Sequence, residues 1–320
     1  MKVFTQKKYG GPEVLNPDEM EKPVPKENEV LVKVKALSIN PAEWHLLQGR
    51  IWLVRLGFGL TKPRNPVPGA DVAGIVEAVG NGVTSFKRGD QVFGRVWNGG
   101  LAEYICVQED KIALMPDGTS FEKAAAIPLA ANTAQVALYR TLKVQEGQSL
   151  LINGASGGIG SFAVQLAKYY GAEVTAVCSS RNKELVQSLG ADHVIDYTHE
   201  DFTLHTHQFD LFADLVGNRP LQQIRHLLKP KGRGVFVGFT DARKMMGFML
   251  GGSLLSAVGS RKFFSIDVKT NGKDLEYLGQ LVKDGFLKPV IDRVFPFEET
   301  PRAFAHLGTR HARGKIVIRL

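Results

Sequence analysis

Cysteine is nearly absent: Cys106 and Cys178 are the only two in 320 residues. Two thiols exclude a disulfide framework, and both fall in strand-like runs, which predicts buried thiols in a reducing compartment. There is no Cys-x-x-Cys and no His-x-x-x-His on a helical stretch. His205 and His207 are close in sequence but follow Thr203 in a polar loop. Neither a structural nor a catalytic zinc site is expected, since either needs clustered Cys, His or carboxylate ligands. Long apolar runs are missing too. The most membrane-like segment, 245–258, is too short to cross a bilayer core of about 30 Å as a helix, which predicts no membrane span. The charge has no block structure: the net +8 is spread over scattered Lys and Arg, so no nucleic-acid partner is expected. The first residues, Met1-Lys-Val-Phe-Thr-Gln6, begin as a strand without the apolar run of a signal peptide, and the cytoplasm is the expected location. No internal repeat or low-complexity tract is visible.

What is present is an ordinary globular composition, 44% apolar and 22% charged, in a chain long enough for two domains. Residues 1–122 carry short strands and turns. Glu29–Ala36 alternates in and out, Gly74–Gly80 and Gln91–Gly94 read as further strands, and Gly-Asn-Gly-Val and Lys-Arg-Gly-Asp read as turns. From Phe121 a helical tract runs towards Leu142, with Pro128 placed to start or kink a helix. Beyond residue 148 strands at 149–153, 173–178, 192–195, 210–215, 233–239 and 262–268 alternate with helices. That order specifies an α/β doubly wound parallel sheet over 123–288. The tail, 289–320, returns to strand patterning and is expected to rejoin the first domain.

The most informative stretch is Gly154-Ala155-Ser156-Gly157-Gly158-Ile159-Gly160, between an apolar strand and a helix patterned by Ile159, Phe162, Ala163, Leu166 and Tyr170. A strand, a glycine turn and a helix N-terminus hold a pyrophosphate on free backbone N–H groups, and side chains there would keep the phosphates away. The second strand ends Val177-Cys178-Ser179-Ser180-Arg181-Asn182-Lys183. In this fold an acid at that place accepts both ribose hydroxyls of NAD. Two serines and an arginine instead suit a 2′-phosphate, so NADPH is the expected cofactor. The serines also have an alternative use as caps of the following helix. Tyr197, after Val194-Ile195-Asp196, is a second candidate for that phosphate.

Several longer motifs occur in one order: Ser38-Ile-Asn-Pro-Ala-Glu-Trp44, Pro68 to Gly80, Gly99-Gly-Leu-Ala-Glu-Tyr104, Ile127 to Ala134, the glycine turn, Ala191 to Tyr197 and Gly314-Lys-Ile-Val. In these the chain resembles the zinc-independent medium-chain dehydrogenase/reductases, quinone oxidoreductase branch. The resemblance implies a GroES-like irregular β-domain (1–122, completed by 289–320), a Rossmann domain (123–288), and nicotinamide in the cleft. It also implies a homodimer through the edge strand near Arg261 to Val268. Zinc-bearing members have Gly-His-Glu where this chain has Gly69-Ala70-Asp71, and Ala70 cannot ligate.

The resemblance further implies site residues. Asn40 corresponds to a polar residue beside nicotinamide and substrate, although an Asx turn before Pro41 competes. Thr133 corresponds to a hydroxyl facing the cofactor. Val216, Gly217, Val237, Gly238 and Phe239 end strands at the carboxyl edge; Phe264, Ser265 and Ile266 correspond to the carboxamide contact, and Lys315 to a position near the cleft. The expected activity is hydride transfer from NADPH to a small electrophile, a quinone, enone or enal. Asn40 is then the candidate donor to the developing negative charge, and His45 a candidate proton source. Trp44, Trp97, Phe239 and Phe248 are candidates for an aromatic pocket. An enoyl-thioester reductase and a non-catalytic NADPH-binding redox sensor or structural protein are the alternatives. A membrane-associated role for 245–258 is weaker, since that segment has almost no charged face.

Overall fold

The computed structural model describes residues 1–49, 52–239, 244, 246–248, 251–252, 256–257 and 259–320, with 52–54 described by backbone alone. Contacts divide it into two units, 1–132 with 270–320, and 133–269. These limits differ from the 122 and 289 read from composition, because side chains tie the intervening helices to the first unit. Ser38 Oγ donates to the Ala125 carbonyl (2.7 Å), the Leu129 N–H to Asp71 Oδ1 (3.2 Å), and Asn132 Nδ2 to Thr270 Oγ1 (3.1 Å). Pro128 is the first residue of the helix Pro128–Gln135, where its missing N–H costs nothing.

The first unit holds an antiparallel ribbon, β1 (Lys2–Gln6) with β2 (Leu15–Glu19), and a seven-stranded sheet. The sheet comprises β3 (Glu29–Ile39), β4 (Asp71–Val79), β5 (Gln91–Arg95), β6 (Tyr104–Gln108), β7 (Ile112–Leu114) and two strands from the tail, β14 (Ile291–Pro296) and β15 (Lys315–Arg319). β15 runs antiparallel to β3, pairing Ile316 with Ile39 and Val317 with Ser38. The chain's last strand therefore lies beside its third. Val30, Val32, Leu37, Ile39, Phe304 and Ile318 are among the core residues, each worth about 1.5–3 kcal/mol on burial. Cys106 departs from expectation: Ile105 and Val107 are buried, so Cys106, on the other face of β6, is half-buried.

The second unit is a six-stranded parallel sheet in the order β10 (His193–Asp196), β9 (Glu173–Cys178), β8 (Ser149–Asn153), β11 (Phe209–Asp214), β12 (Leu228–Phe236), β13 (Lys262–Ser265). The order reverses between β8 and β11, the point where doubly wound sheets bind ligands. The helix Gly158–Tyr169 buries Phe162, Ala163, Leu166 and their neighbours. Phe248, a pocket candidate for which a core position is the stronger single-residue reading, stacks on Phe236 at 4.0 Å and belongs to the core. Of the segment 245–258, residues 245, 249–250, 253–255 and 258 lie outside the described residues. Among the described residues no helix is long and apolar enough to cross a membrane.

Candidate functional site

In the second unit the glycine turn closes on the end of β9. The Gly154 and Ala155 N–H groups both donate to the Val177 carbonyl, at 3.2 and 3.1 Å. Gly154 has φ +85°, and a Cβ there would lie 2.5 Å from Val216 Cγ2. A Cβ on Gly160 would lie 2.1 Å from the Gly154 carbonyl oxygen, so neither glycine tolerates a side chain. The twelve-residue helix Gly158–Tyr169 opens here, with Gly157 as N-cap and no capping side chain. Its first-turn N–H groups therefore lack helical partners and face an anion's natural position.

The same edge gathers most of the other candidates. Asp214 Oδ1 accepts the Val216 and Gly217 N–H groups (3.1 and 2.9 Å) and Asn153 Nδ2 (2.8 Å). Burial raises the Asp214 pKa and these hydrogen bonds oppose it. Gly217, at φ +65°, would with a Cβ sit 2.1 Å from the Gly238 carbonyl oxygen, and the Val237 N–H donates to the Asp214 carbonyl. Thus the ends of β8, β11 and β12 are knitted together by backbone approach. Phe239 is half-buried against Phe248, Phe264 is half-buried under the Arg233 guanidinium (4.9 Å), Ile266 is half-buried and Ser265 exposed. Ile159 is half-buried, and Thr133 is buried in Pro128–Gln135.

At the end of β9 the two serines separate. Ser156 Oγ accepts from Asn182 Nδ2 (2.9 Å), joining the turn to this segment. Ser179 is buried, does not cap the helix with its side chain, and its Oγ has no hydrogen-bond partner. Ser180 is exposed and shares Thr198 Oγ1 (2.8 Å) and His199 Nδ1 (3.4 Å). Asp196, on the neighbouring strand, joins that group, and hydrogen bonds from Ser180 and Thr198 hold its carboxyl well below the ordinary range. The reading of the second strand's end missed this acid because it sits on the third. Tyr197 donates its N–H to the Cys178 carbonyl (3.0 Å) and exposes its ring; Arg181 is exposed. Cys178 is buried, and burial beside Asp196 pushes its thiol up to about 11.

In the first unit Asn40 caps the helix Pro41–Gln48 and sits at the centre of a buried polar cluster. Its Nδ2 donates to Glu43 Oε2 and to Asp71 Oδ2, both at 2.9 Å, and its Oδ1 accepts from Lys315 Nζ. The Asn40 N–H also donates to Glu43 Oε2 (3.0 Å), and Lys315 Nζ lies 3.5 Å from Asp71 Oδ2. Both Nδ2 protons are committed, so Asn40 has no amide donor left for a substrate. Glu43, absent from the sequence candidates, retains an oxygen, Oε1, without a partner. Burial, then the Asp71 charge, raises the Glu43 pKa to about 7. Burial lowers that of Lys315, opposed by Asp71 and Glu43.

His45 lies two positions beyond Glu43, which turns it to another face of the helix. It is half-buried, and burial together with Arg310 lowers its pKa. Trp44 packs against Gly308 and the core, and Trp97 is largely exposed under Arg95. Trp44 therefore lies with the core rather than with an aromatic pocket. Among the described residues no group of three or more His, Cys, Asp or Glu side chains is arranged to hold a metal.

Two family models match the chain, the alcohol dehydrogenase GroES-like domain over residues 26–117 and the zinc-binding dehydrogenase over 189–318. The NADPH-dependent alkenal/one oxidoreductase of Arabidopsis thaliana is 37% identical over 335 residues, covering 99% of this chain and 79% of that protein. The quinone oxidoreductase of Sus scrofa is 32% identical, covering 98% and 96%. Among solved structures, Escherichia coli quinone oxidoreductase complexed with NADPH superposes with a TM-score of 0.86 at 26% identity, covering 100% of both chains. The CurK enoyl reductase superposes with a TM-score of 0.87 at 27% identity, covering 99% and 98%. With its GroES-like and parallel-sheet units, its motifs and these relatives, the chain belongs to the quinone oxidoreductase branch of the medium-chain dehydrogenase/reductases.

Proposed function

We propose that the chain is an NADPH-dependent reductase of quinones and of electron-poor C=C bonds in enones and enals, working without zinc. The observation that carries this reading is the glycine cradle between β8, β11 and β12, where Gly154, Gly160, Gly217 and Gly238 let the chain approach itself so closely that a Cβ on any of them would meet a protein atom at 2.1–2.5 Å. The turn Gly154 to Ile159 would hold the pyrophosphate, with Gly158 and Ile159 offering the first-turn N–H groups of the helix while the N–H groups of Gly154, Ala155 and Gly157 stay on the Val177 and Gly154 carbonyls. Ser179, with its unpartnered hydroxyl, Arg181 and Tyr197 would hold the adenosine 2′-phosphate, and Cys178 would supply backbone. Thr133, Val216, Val237, Phe239, Phe264, Ser265 and Ile266 would line the rest of the dinucleotide. When bound, NADPH supplies the hydride.

Zinc independence is supported by the donor set. Ala70 offers no ligand, and the cationic centre among Asn40, Glu43 and Asp71 is already filled by the Lys315 ammonium. Lys315 and Asn40 thereby take the part of positioning residues rather than cofactor ligand or oxyanion donor. His45, with its depressed pKa, is a poor proton source.

The enoyl-thioester reading is favoured by the likeness to the CurK enzyme. Following NADPH oxidation with 1,4-quinones, 2-alkenals and enoyl thioesters separates the two: fastest turnover of quinones or alkenals is expected, and thioesters alone would establish the alternative. Binding of NADPH without turnover of any of them would make the protein a sensor. We also propose a homodimer through β13, an edge strand of its sheet; a sedimentation mass equal to one chain would contradict it. Relatives carry chloroplastic and mitochondrial names; the proposed cytoplasmic location is tested by cell fractionation.

A further inference from the structure

A cavity of about 200 Å³ opens within the first unit, lined by Glu43 and by Leu46, Phe58, Pro63, Pro68 and Asn98 among others. It exceeds the roughly 150 Å³ in which an apolar cavity accepts benzene, so one ring or a short conjugated chain fits. Glu43 is 5% exposed. Its Oε2 accepts both the N–H and the Nδ2 of Asn40, while Oε1 has no partner. A proton on this carboxyl therefore resides on Oε1, the oxygen not already accepting hydrogen bonds. A buried hydroxyl without an acceptor carries an unrelieved desolvation penalty, which a ligand carbonyl would relieve.

We propose that this cavity receives the conjugated carbonyl of the electron-poor acceptor and that Glu43 Oε1–H hydrogen-bonds to it and delivers the proton of the reaction. The inference rests on the reductase reading above and names the acid that reading lacks. The acceptor takes two electrons as hydride from the reduced nicotinamide cofactor. The Glu43 O–H bond breaks, its electron pair stays on Oε1, and a new O–H bond forms at the acceptor oxygen. A quinone leaves as hydroquinone; an enone leaves as enol, which becomes the saturated ketone in water. The resulting carboxylate then takes a proton from water. The carboxyl's pKa of about 7 suits a group that gives and regains a proton near neutrality. The charged and titratable groups around it are Asp71 and Lys315 in the polar cluster, and Arg64 and Tyr9 on the cavity wall.

The test uses cyclohexanone, a ring ketone without an activated C=C, titrated calorimetrically into the full-length protein without NADPH from pH 5 to 9. The wild type should bind it below pH 7 and lose at least about tenfold in affinity by pH 9. Glu43→Gln, which keeps an N–H donor, should bind with no pH dependence, and Glu43→Leu should not bind. Melting temperatures establish that both variants are folded. In turnover with a 1,4-quinone, wild-type kcat should fall above pH 7, and Glu43→Gln should lower kcat about 100-fold or more with the Kd for NADPH unchanged. Equal cyclohexanone affinity in all three proteins, or the same kcat profile in Glu43→Gln and wild type, would overturn the assignment. Failure of the wild type to oxidise NADPH with any quinone, enone or enal would instead remove the reductase reading. The cyclohexanone titrations do not depend on that outcome.

Discussion

The glycine turn of the second unit and the Asn40 cluster of the first are built by opposite means. The turn is backbone: seven consecutive residues, nearly side-chain-free, shaped by close approaches to Val177, Val216 and its own Gly154 carbonyl. The cluster is side chains: Asn40, Glu43, Asp71 and Lys315, contributed by a helix and two strands, with Lys315 separated from Asn40 by 275 positions. The first is the kind of site that holds a constant group such as a pyrophosphate. The second keeps charge buried and leaves one buried oxygen unpartnered, which suits a variable acceptor and a proton. A chain can write the first locally, whereas the second exists only once β15 has paired with β3.

The strongest way to break that contrast is through Lys315. Lys315→Met leaves two buried carboxylates around Asn40 without their cation, and should destabilise the fold by about 3–5 kcal/mol in denaturant titration; a loss under 1 kcal/mol would mean that the cluster is not cohesive.

A pH series sharpens the same point. Folded Glu43 keeps its proton to about 7, against an ordinary value of 4.5, so between those limits the folded chain binds more protons than the unfolded chain. This contribution is complete below pH 4.5 and is lost as pH rises through 7, at most about 3 kcal/mol. Glu43→Gln should remove that slope, measured as stability against pH; an unchanged slope would assign it elsewhere.

For the turn, Gly160→Val drives side-chain atoms into the Gly154 carbonyl. It should weaken NADPH binding roughly 100-fold, near 3 kcal/mol, in a fluorescence titration, while the Asn40 cluster persists. Smallest is Arg181→Ala, expected to raise the Michaelis constant for NADPH about tenfold, or 1.4 kcal/mol, with little change for NADH. An unchanged Michaelis constant for NADPH in the variant would sink the 2′-phosphate assignment.

The same contrast explains what was legible in the chain. Ser149–Asn153 and Glu173–Cys178 were readable because buried parallel strands are apolar runs bounded by glycine, and β10 to β13 because strands and helices alternate. Their ends were less so: the last strand closes at Ser265 rather than 268, where the apolar pattern continues past the ladder. The glycine turn was readable as a cradle, since its chemistry is its own sequence. Glu43 was not. In Asn40-Pro-Ala-Glu43 it reads as the acid of a capping box, and that is half its part; the other half depends on Asp71 and a cavity, which no spacing encodes. Likewise Asp196 comes to Ser180 only through β9–β10 pairing, and Asn40's committed amide could not be seen before its three partners were placed.

The division between a backbone site that holds the dinucleotide and a side-chain cluster that serves the acceptor is tested most directly by Asn40→Ala, measuring the Kd for NADPH and kcat with a 1,4-quinone on the same preparation. The account predicts a Kd within about twofold of wild type and a kcat at least about tenfold lower, because Glu43 and Lys315 lose the residue that positions them. A weakened Kd with unchanged kcat would contradict it.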